Sequence, residues 1–535
     1  MSERRWWYGL SLLAVLVVGS WPYWVNLQYG PMGSDSADWV VRGATDRPDW
    51  SEWVFRSSHL AGYRPVAAIS YSLNYLISGF EPASYRLLDI VLHVSVAFLI
   101  FVLYRRLAPG LPAWGGWVAS ALFLAHPLAE QAVPIMARRS YLLASLFSVS
   151  ALIVIRDGLA RSATRSRVAF GPPILGALLL ACGLLSNETA FVTVAVIVAL
   201  PFFVRGMRFD RVAAATAGIP LLACALVSVL RWLVVGGLGG YAEGAVFRGM
   251  DRTAWVYTEL YAGSWWESIG IAPAWVGAVF VLVGAWSIVS AQRAAKPLAR
   301  VASLLVLWLL VSPVPSLISG TWFLRQLYPA LVPFCLLLGT LVSSAASAAW
   351  ASGSARHKWV TGLQLAVPLL LVAGIVFQSP SIRGPSVKRM ENWQERHQLL
   401  EDLHEALASI HEPAHVLLVL PYPRRQGRLS GPLPWIKRLP VVWTRAQLRN
   451  RNLAIEGFLF YERSRSAPDR TPAVQSLEGR PALTVPAGLP VQFGGLGPVS
   501  AEGSIRTMWL DDVPASGDLY VYLRAEGRGR LIPVR

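Results

Sequence analysis

The sequence predicts an α-helical polytopic membrane protein of about eleven transmembrane helices, followed by a small C-terminal extracytoplasmic domain of α/β or β-rich character. Three observations carry this. With 54% hydrophobic and 15% charged residues and a mean hydropathy of +0.46, the 535-residue chain is too apolar for an ordinary soluble protein. Much of that apolarity falls in blocks of roughly sixteen to twenty-odd residues, the length a helix needs to cross a hydrocarbon core of about 30 Å. Basic residues recur between pairs of blocks, at Arg4-Arg5, Arg105-Arg106, 156–167, 205–211, 293–300 and 356–358. That is the positive-inside pattern, and it places the amino terminus in the cytoplasm.

The net charge of +17 is therefore a topology signal rather than a nucleic-acid footprint. Aromatic residues gather near block ends, as at Trp6-Trp7-Tyr8 and Trp265-Trp266, where interfacial side chains belong. The three cysteines, Cys182, Cys224 and Cys335, all lie inside apolar blocks and define neither a disulfide framework nor a thiolate metal site. The expected location is the bacterial inner membrane.

In chain order, the first crossing covers about residues 6–25, lacks a persuasive cleavage site and is kept as a permanent helix. A long external loop follows over 29–85, and the second crossing covers 85–105. Blocks at 114–125 and 141–155 flank an external turn, and blocks at 174–185 and 191–204 meet outside at Ser186-Asn187-Glu188. Val212 to Val235 crosses outward, and an external segment with aromatics over 255–266 follows. Blocks at 275–290, 301–318, 328–342 and 359–377 complete the membrane domain, 1–377. An odd number of crossings leaves the carboxyl terminus outside. From 378 to 535 the chain turns polar, with a helical pattern over 391–410 and extended runs at 416–420, 453–461 and 519–523.

The informative residues are polar groups at outer helix ends. Asp35, Asp38, His59, Tyr63, Arg64, His126, Glu130, Arg139, Glu188 and Arg325 all fall on one membrane face in this topology. Charge beside the bilayer faces a cavity or a partner, because exposure to lipid is expensive. A carboxylate such as Asp35 or Asp38 can take a proton from an acceptor hydroxyl attacking a sugar's anomeric carbon. Arg64, Arg139 and Arg325 can hold a leaving phosphate through paired charge-assisted hydrogen bonds, with His59, Tyr63, His126, Glu130 and Glu188 lining the site. The second aspartate can orient the acceptor or bind a divalent cation, although this spacing is a weak metal signal. The chain carries no glycine-rich phosphate loop, zinc signature or serine-nucleophile elbow.

Several of these residues sit in longer motifs. Tyr63-Arg64-Pro65, Leu73-Asn74-Tyr75, Gly79, Tyr85 and Leu92-His93 resemble the start of the transmembrane O-mannosyltransferases that carry tetratricopeptide repeats, and of their bacterial relatives. The resemblance continues through His126-Pro127, Ala132-Val133, Arg139 and Leu142-Leu143-Ala144. It returns at Leu185-Ser186-Asn187-Glu188-Thr189 and Arg325-Gln326-Leu327-Tyr328-Pro329. It implies the GT-C fold and an inverting transferase with a polyprenyl- or dolichyl-phosphate sugar donor, an extracytoplasmic acceptor and a catalytic acid in the first external loop. Asp35 and Asp38 fall in the region of the family's acidic pair, separated by two residues rather than adjacent, so either can be the base. Gln131 stands where the family generally has Glu, Tyr141 replaces an acidic residue, and the repeats are missing. A ligase for a larger lipid-linked glycan is a second enzymatic reading, and a transporter or noncatalytic assembly protein for envelope polysaccharide is a third. Transporters show inverted repeats and interrupted helices at the midplane; here the polar residues share one face.

Overall fold

The computed structural model describes residues 2–28, 36, 39–40, 63–165, 170–205, 211–235, 296–312, 314–315, 324–351, 402–403, 405–407, 414–422, 453–462, 472–477, 480–486, 491–494, 500–502, 505–509, 518–525 and 528–534. The chain divides into two compact units, one of residues 1–29 with 45–390 and one of residues 30–44 with 391–535.

The first unit is helical. Its described helices are α1 (Ser2–Trp24), α2 (Pro65–Ser78), α3 (Pro82–Leu107), α4 (Trp114–Ala125), α5 (Arg139–Arg165), α6 (Gly171–Ser186), α7 (Phe191–Arg205), α8 (Arg211–Val235), α9 (Lys296–Val311) and α10 (Leu331–Ala351). Segments Pro82–Leu107, Met136–Ser162, Ala214–Val235 and Arg325–Ser344 are long and apolar enough to cross a membrane. Shorter apolar helices occupy Trp114–Ala125, Gly171–Ser186, Glu188–Phe203 and Leu298–Val311. The blocks expected at 275–290 and 359–377 lie outside the described residues.

Local chemistry sets the helix limits. Pro65 opens α2, where a missing N–H costs nothing, and Gly79 closes it at φ 60°, a left-handed conformation that favours glycine. Glu81 caps α3 by accepting from the Ala83 N–H, and Arg105 and Arg106 complement the negative end of its dipole. The block expected at 328–342 begins differently: a 3₁₀ turn spans Leu324–Ala330 and α10 starts at Leu331. Pro329 lies inside that turn, where the tighter helix absorbs a residue that an α-helix interior tolerates poorly.

Helix α5 is the hub, packed against α3, α6, α7 and α8, while α4 packs on α10. The shared core includes Ile100, Phe123, Leu142, Leu152, Leu180 and Leu336. Leu87, Val91, Leu178, Leu226 and Trp232 are exposed on helix surfaces, as lipid-facing side chains are.

In the second unit, one sheet has strand order β5-β2-β1-β8-β9, from β1 (Ala414–Tyr422), β2 (Leu453–Glu462), β5 (Val491–Gly494), β8 (Asp518–Ala525) and β9 (Arg528–Pro533). The central β1 runs parallel to β2 and β8, and both edge strands run antiparallel to their neighbours. A second sheet has order β3-β4-β7-β6, from β3 (Ala473–Leu477), β4 (Arg480–Pro486), β6 (Ser500–Glu502) and β7 (Ile505–Trp509). Residues 402–403 and 405–407 are helical, with Leu403 and Leu407 buried one turn apart; the rest of the pattern over 391–410 lies outside the described residues.

Candidate functional site

One end of the helical unit gathers the starts of α3, α5, α7 and α10 with the ends of α4, α6 and α8. The turns there, Pro127–Gln131, Met136–Arg138, Glu188–Ala190 and Leu324–Ala330, bring together segments far apart in sequence. Two buried charge clusters lie among them.

The first is built on Glu188. Asn187 ends α6 in extended backbone, and its side chain accepts from the Thr189 N–H and donates to Ser140, fixing the turn that presents Glu188. Arg64, at the start of α2, donates Nη2 to Glu188 Oε1 at 2.6 Å and Nε to Oε2 at 3.3 Å, a two-pronged pair. Arg231, near the end of α8, places Nη2 3.8 Å from Glu188 Oε2 and donates Nη1 to the carbonyls of Tyr63 at 3.0 Å and Leu184 at 3.4 Å. The Tyr63 ring lies 5.9 Å from the Arg231 guanidinium, and the Tyr141 ring 5.9 Å from that of Arg64. Two guanidiniums converge on one carboxylate in a largely enclosed space.

The second cluster is built on Arg139. Its Nε donates to Asp89 at 2.6 Å, Nη2 to Asn74 Oδ1 at 3.2 Å and the Tyr85 carbonyl at 2.9 Å, and Nη1 to the Ser70 carbonyl at 3.3 Å. Its face lies 4.4 Å from the Tyr71 ring centroid. Arg139 is thus sealed within the bundle and joins α5 to α2 and α3. Further along α3, the fully buried His93 pairs through Nδ1 with the Tyr328 hydroxyl at 2.7 Å, enclosed by Tyr23 and Phe123.

The sequence-predicted residues therefore divide. Tyr63, Arg64 and Glu188 come together. Arg139 lies in the second cluster. His126 is buried, its Nδ1 accepting from the Leu128 N–H at 3.0 Å, and burial pushes its imidazole pKa down to about 3. Glu130 is buried on the same turn, and Arg325 is half-buried on the turn that packs against it. Asp35, Asp38 and His59 lie outside the described residues. Sequence reasoning missed Arg231 and Asp89. Arg231 is a lone charge inside an apolar block, and Asp89 shares its block with the equally buried Arg86; buried charge there is costly unless paired. Among the described residues no group of three or more His, Cys, Asp and Glu side chains is placed to hold a metal ion.

The architecture and site are those of a helical membrane protein with an ionic cluster enclosed at one end of its bundle. Its similarities in sequence are to partial lengths of proteins named protein O-mannosyl-transferases. No protein-family model matches the chain. It is 30% identical over 141 residues to protein O-mannosyl-transferase Tmtc1 of Drosophila melanogaster, covering 26% of this chain and 16% of that protein. It is 31% identical over 147 residues to TMTC3 of Mus musculus, covering 26% and 15%, and 30% identical over 194 residues to Drosophila Tmtc2, covering 35% and 20%. The chain thus matches a fifth or less of each relative's length. Among solved structures, it is similar to ArnT from Cupriavidus metallidurans bound to undecaprenyl phosphate, with a TM-score of 0.45 at 13% identity over 92% of this chain and 99% of that one. It is also similar to the archaeal oligosaccharyltransferase AglB from Archaeoglobus fulgidus in complex with an inhibitory peptide and a dolichol-phosphate, with a TM-score of 0.45 at 12% identity over 84% and 65%.

Proposed function

We propose that this chain is an inner-membrane inverting glycosyltransferase moving a sugar, mannose or a similar hexose, from a polyprenyl-phosphate donor to an extracytoplasmic protein, lipid or glycan acceptor. The observation that carries the reading is the enclosed ionic cluster of Arg64, Glu188 and Arg231, at the bundle end where the first long loop enters α2. The names of the sequence relatives support the sugar-transfer chemistry.

In this mechanism Asp35 or Asp38 removes the proton from the acceptor hydroxyl as its oxygen attacks the anomeric carbon. The bond from that carbon to the phosphate oxygen breaks with inversion, and the phosphate leaves on its lipid with the electron pair. Arg64 holds that phosphate, and Arg325 contributes from its neighbouring turn. Arg139, sealed in its own net, positions α2 and α3 instead of touching the donor. The remaining aspartate orients the acceptor or holds a divalent cation.

The test uses purified protein, radiolabelled polyprenyl-phosphate sugars and an envelope extract. Wild type is expected to move one label, and Asp35→Asn to lose about 10²–10⁴-fold in initial rate. Loss in Asp38→Asn alone exchanges the two roles. No transfer from any donor, or full activity in both Asn variants, overturns the reading.

A further inference from the structure

Beside the turn that carries Glu188, the helical unit encloses a small cavity lined by hydroxyls. Ser145 and Ser148 line it from α5, Thr189 from the turn itself and Thr193 from α7, with Trp308 of α9 and Pro329 completing the wall. The space open to the centre of a water molecule is about 10 Å³. That is close to the least that admits one water, and far too little for a sugar or a prenyl chain. We infer that this cavity binds a single water molecule, which completes the hydrogen bonding of Ser145 and joins α5 to the Glu188 turn and to α7. Such a site stands whatever reaction the chain performs.

Ser145 points to it first. The residue is 2% exposed, and its Oγ meets no hydrogen-bond partner in the protein. A hydroxyl inside a helix has a ready acceptor in the carbonyl four residues back. Ser186, Ser228, Ser312, Thr340 and Ser343 all use theirs, at 2.7 or 2.8 Å. Ser145 has the Tyr141 carbonyl at the same spacing and does not take it. Leaving a buried hydroxyl without any partner is costly, so one that forgoes its nearest acceptor while lining a cavity is placed to meet a molecule there.

The donors and acceptors fit water. Thr189 Oγ1 gives its proton to Asn187 Oδ1 at 3.0 Å, so it has only lone pairs left to offer. Ser145 keeps its proton. A molecule between them must both accept and donate, as water does. Buried waters make about three hydrogen bonds, and cavities that stay empty have apolar walls. Four hydroxyls around one water-sized space are more than enough. Asn187 already donates to Ser140 at 3.0 Å. The Glu188 turn is then pinned to α5 twice, once directly and once through solvent.

Thermal unfolding of the full chain in detergent gives a sign. An orphaned hydroxyl destabilises, so removing it in Ser145→Ala would raise the unfolding temperature. A hydroxyl that holds a water stabilises, so its removal should lower that temperature by about 2 °C. Thr193→Val keeps the side-chain shape, drops the hydroxyl and should act in the same direction.

Radiolytic footprinting reads the water itself. Trp308 is 4% exposed, out of reach of hydroxyl radicals formed in bulk solvent, whereas radicals formed from a water beside it oxidise the indole. Irradiation followed by peptide mass spectrometry should label Trp308 in wild type. The label should be lost in Ser145→Val, whose methyl groups take the place of the water. No label in wild type overturns the site, as does an equal label in a folded Ser145→Val. An unfolding temperature in Ser145→Ala at or above that of wild type overturns it too. If Ser145→Val does not fold, the wild-type label and the Ser145→Ala and Thr193→Val shifts decide.

Discussion

The Asp89 carboxylate and the Arg139 guanidinium face each other at 2.6 Å, with 1% and 0% of their side chains exposed. Because Arg139 also reaches Asn74 and the Ser70 carbonyl on α2 and the Tyr85 carbonyl on α3, this one side chain sets the angle between those helices. Arg64 opens α2, so its aim at Glu188 depends on that angle.

Breaking the pair on one side should be severe. Arg139→Gln or Asp89→Asn strands a buried charge, and such losses run to about 3–5 kcal/mol, whereas Arg139→Met with Asp89→Leu should recover most of it. Thermal unfolding in detergent reads this. Donor affinity per folded molecule should fall in the double variant as well, because the bonds that set the angle of α2, and with it the aim of Arg64, are gone. Unchanged donor affinity would show that the aim of Arg64 does not depend on Arg139.

Helix α10 approaches α4 where neither has a side chain to spare. A Cβ on Gly339 would run into the Gly115 carbonyl oxygen and the Ala119 methyl, so Gly339→Ala must push two helices apart, at about 1–3 kcal/mol. Gly218, on α8, has open space around its Cβ position, and Gly218→Ala should stabilise by about 0.5–1 kcal/mol through helix propensity. Unfolding shifts of the same sign for both would contradict the close approach.

His126 makes stability depend on pH in a defined direction. Its folded pKa lies at about 3, below the unfolded value near 6.5, so the unfolded chain takes the proton first. Its contribution is complete above about pH 6.5 and declines as pH falls from there towards 3. His126→Asn, which can still accept from the Leu128 N–H but does not titrate, should cost about 1 kcal/mol at neutral pH and make the acid decline shallower. An acid limb as steep as that of wild type would show that His126 is not responsible.

What the sequence made legible was set by local physics. The block at 114–125 matches α4, and those at 85–105 and 212–235 fall within α3 and α8, because length and apolarity decide a crossing without reference to neighbours. The runs at 416–420, 453–461 and 519–523 lie within β1, β2 and β8, the central strands, whose apolar stretches are continuous. The shorter β3, β4, β6 and β7 carry mixed side chains and were not legible. Tyr63, Arg64 and Glu188 could be placed on one face, but their meeting depends on how α2 and α6 pack. The pairing of Arg139 with Asp89 was hidden for the same reason, since fifty positions separate residues that only the α3–α5 contact joins. Arg231 carried a signal that was passed over: a charge one turn before the end of an apolar block needs a partner.

Arg64 separates a point charge from a fork. Its Nη2 and Nε reach the two oxygens of Glu188 at 2.6 and 3.3 Å, a geometry only a planar guanidinium supplies. If the same two groups take the donor phosphate, Arg64→Ala should raise the donor KM strongly and leave the acceptor KM nearly unchanged. Arg64→Lys restores the charge but not the second bond, so it should recover part of the donor affinity and remain about tenfold short of wild type. Arg325, half-buried on the adjoining turn, is compared in the same assay. Its Ala variant should also weaken donor binding if it contributes to the phosphate site. The opposing view is that Arg64 only ties α2 to the Glu188 turn. Then Ala and Lys variants should lose stability in proportion to any loss of activity, with no preference between donor and acceptor. Initial rates over a matrix of donor and acceptor concentrations, together with unfolding temperatures of the same preparations, decide between the two. Unchanged donor affinity in both Arg64→Ala and Arg325→Ala would remove the arginines from the phosphate site.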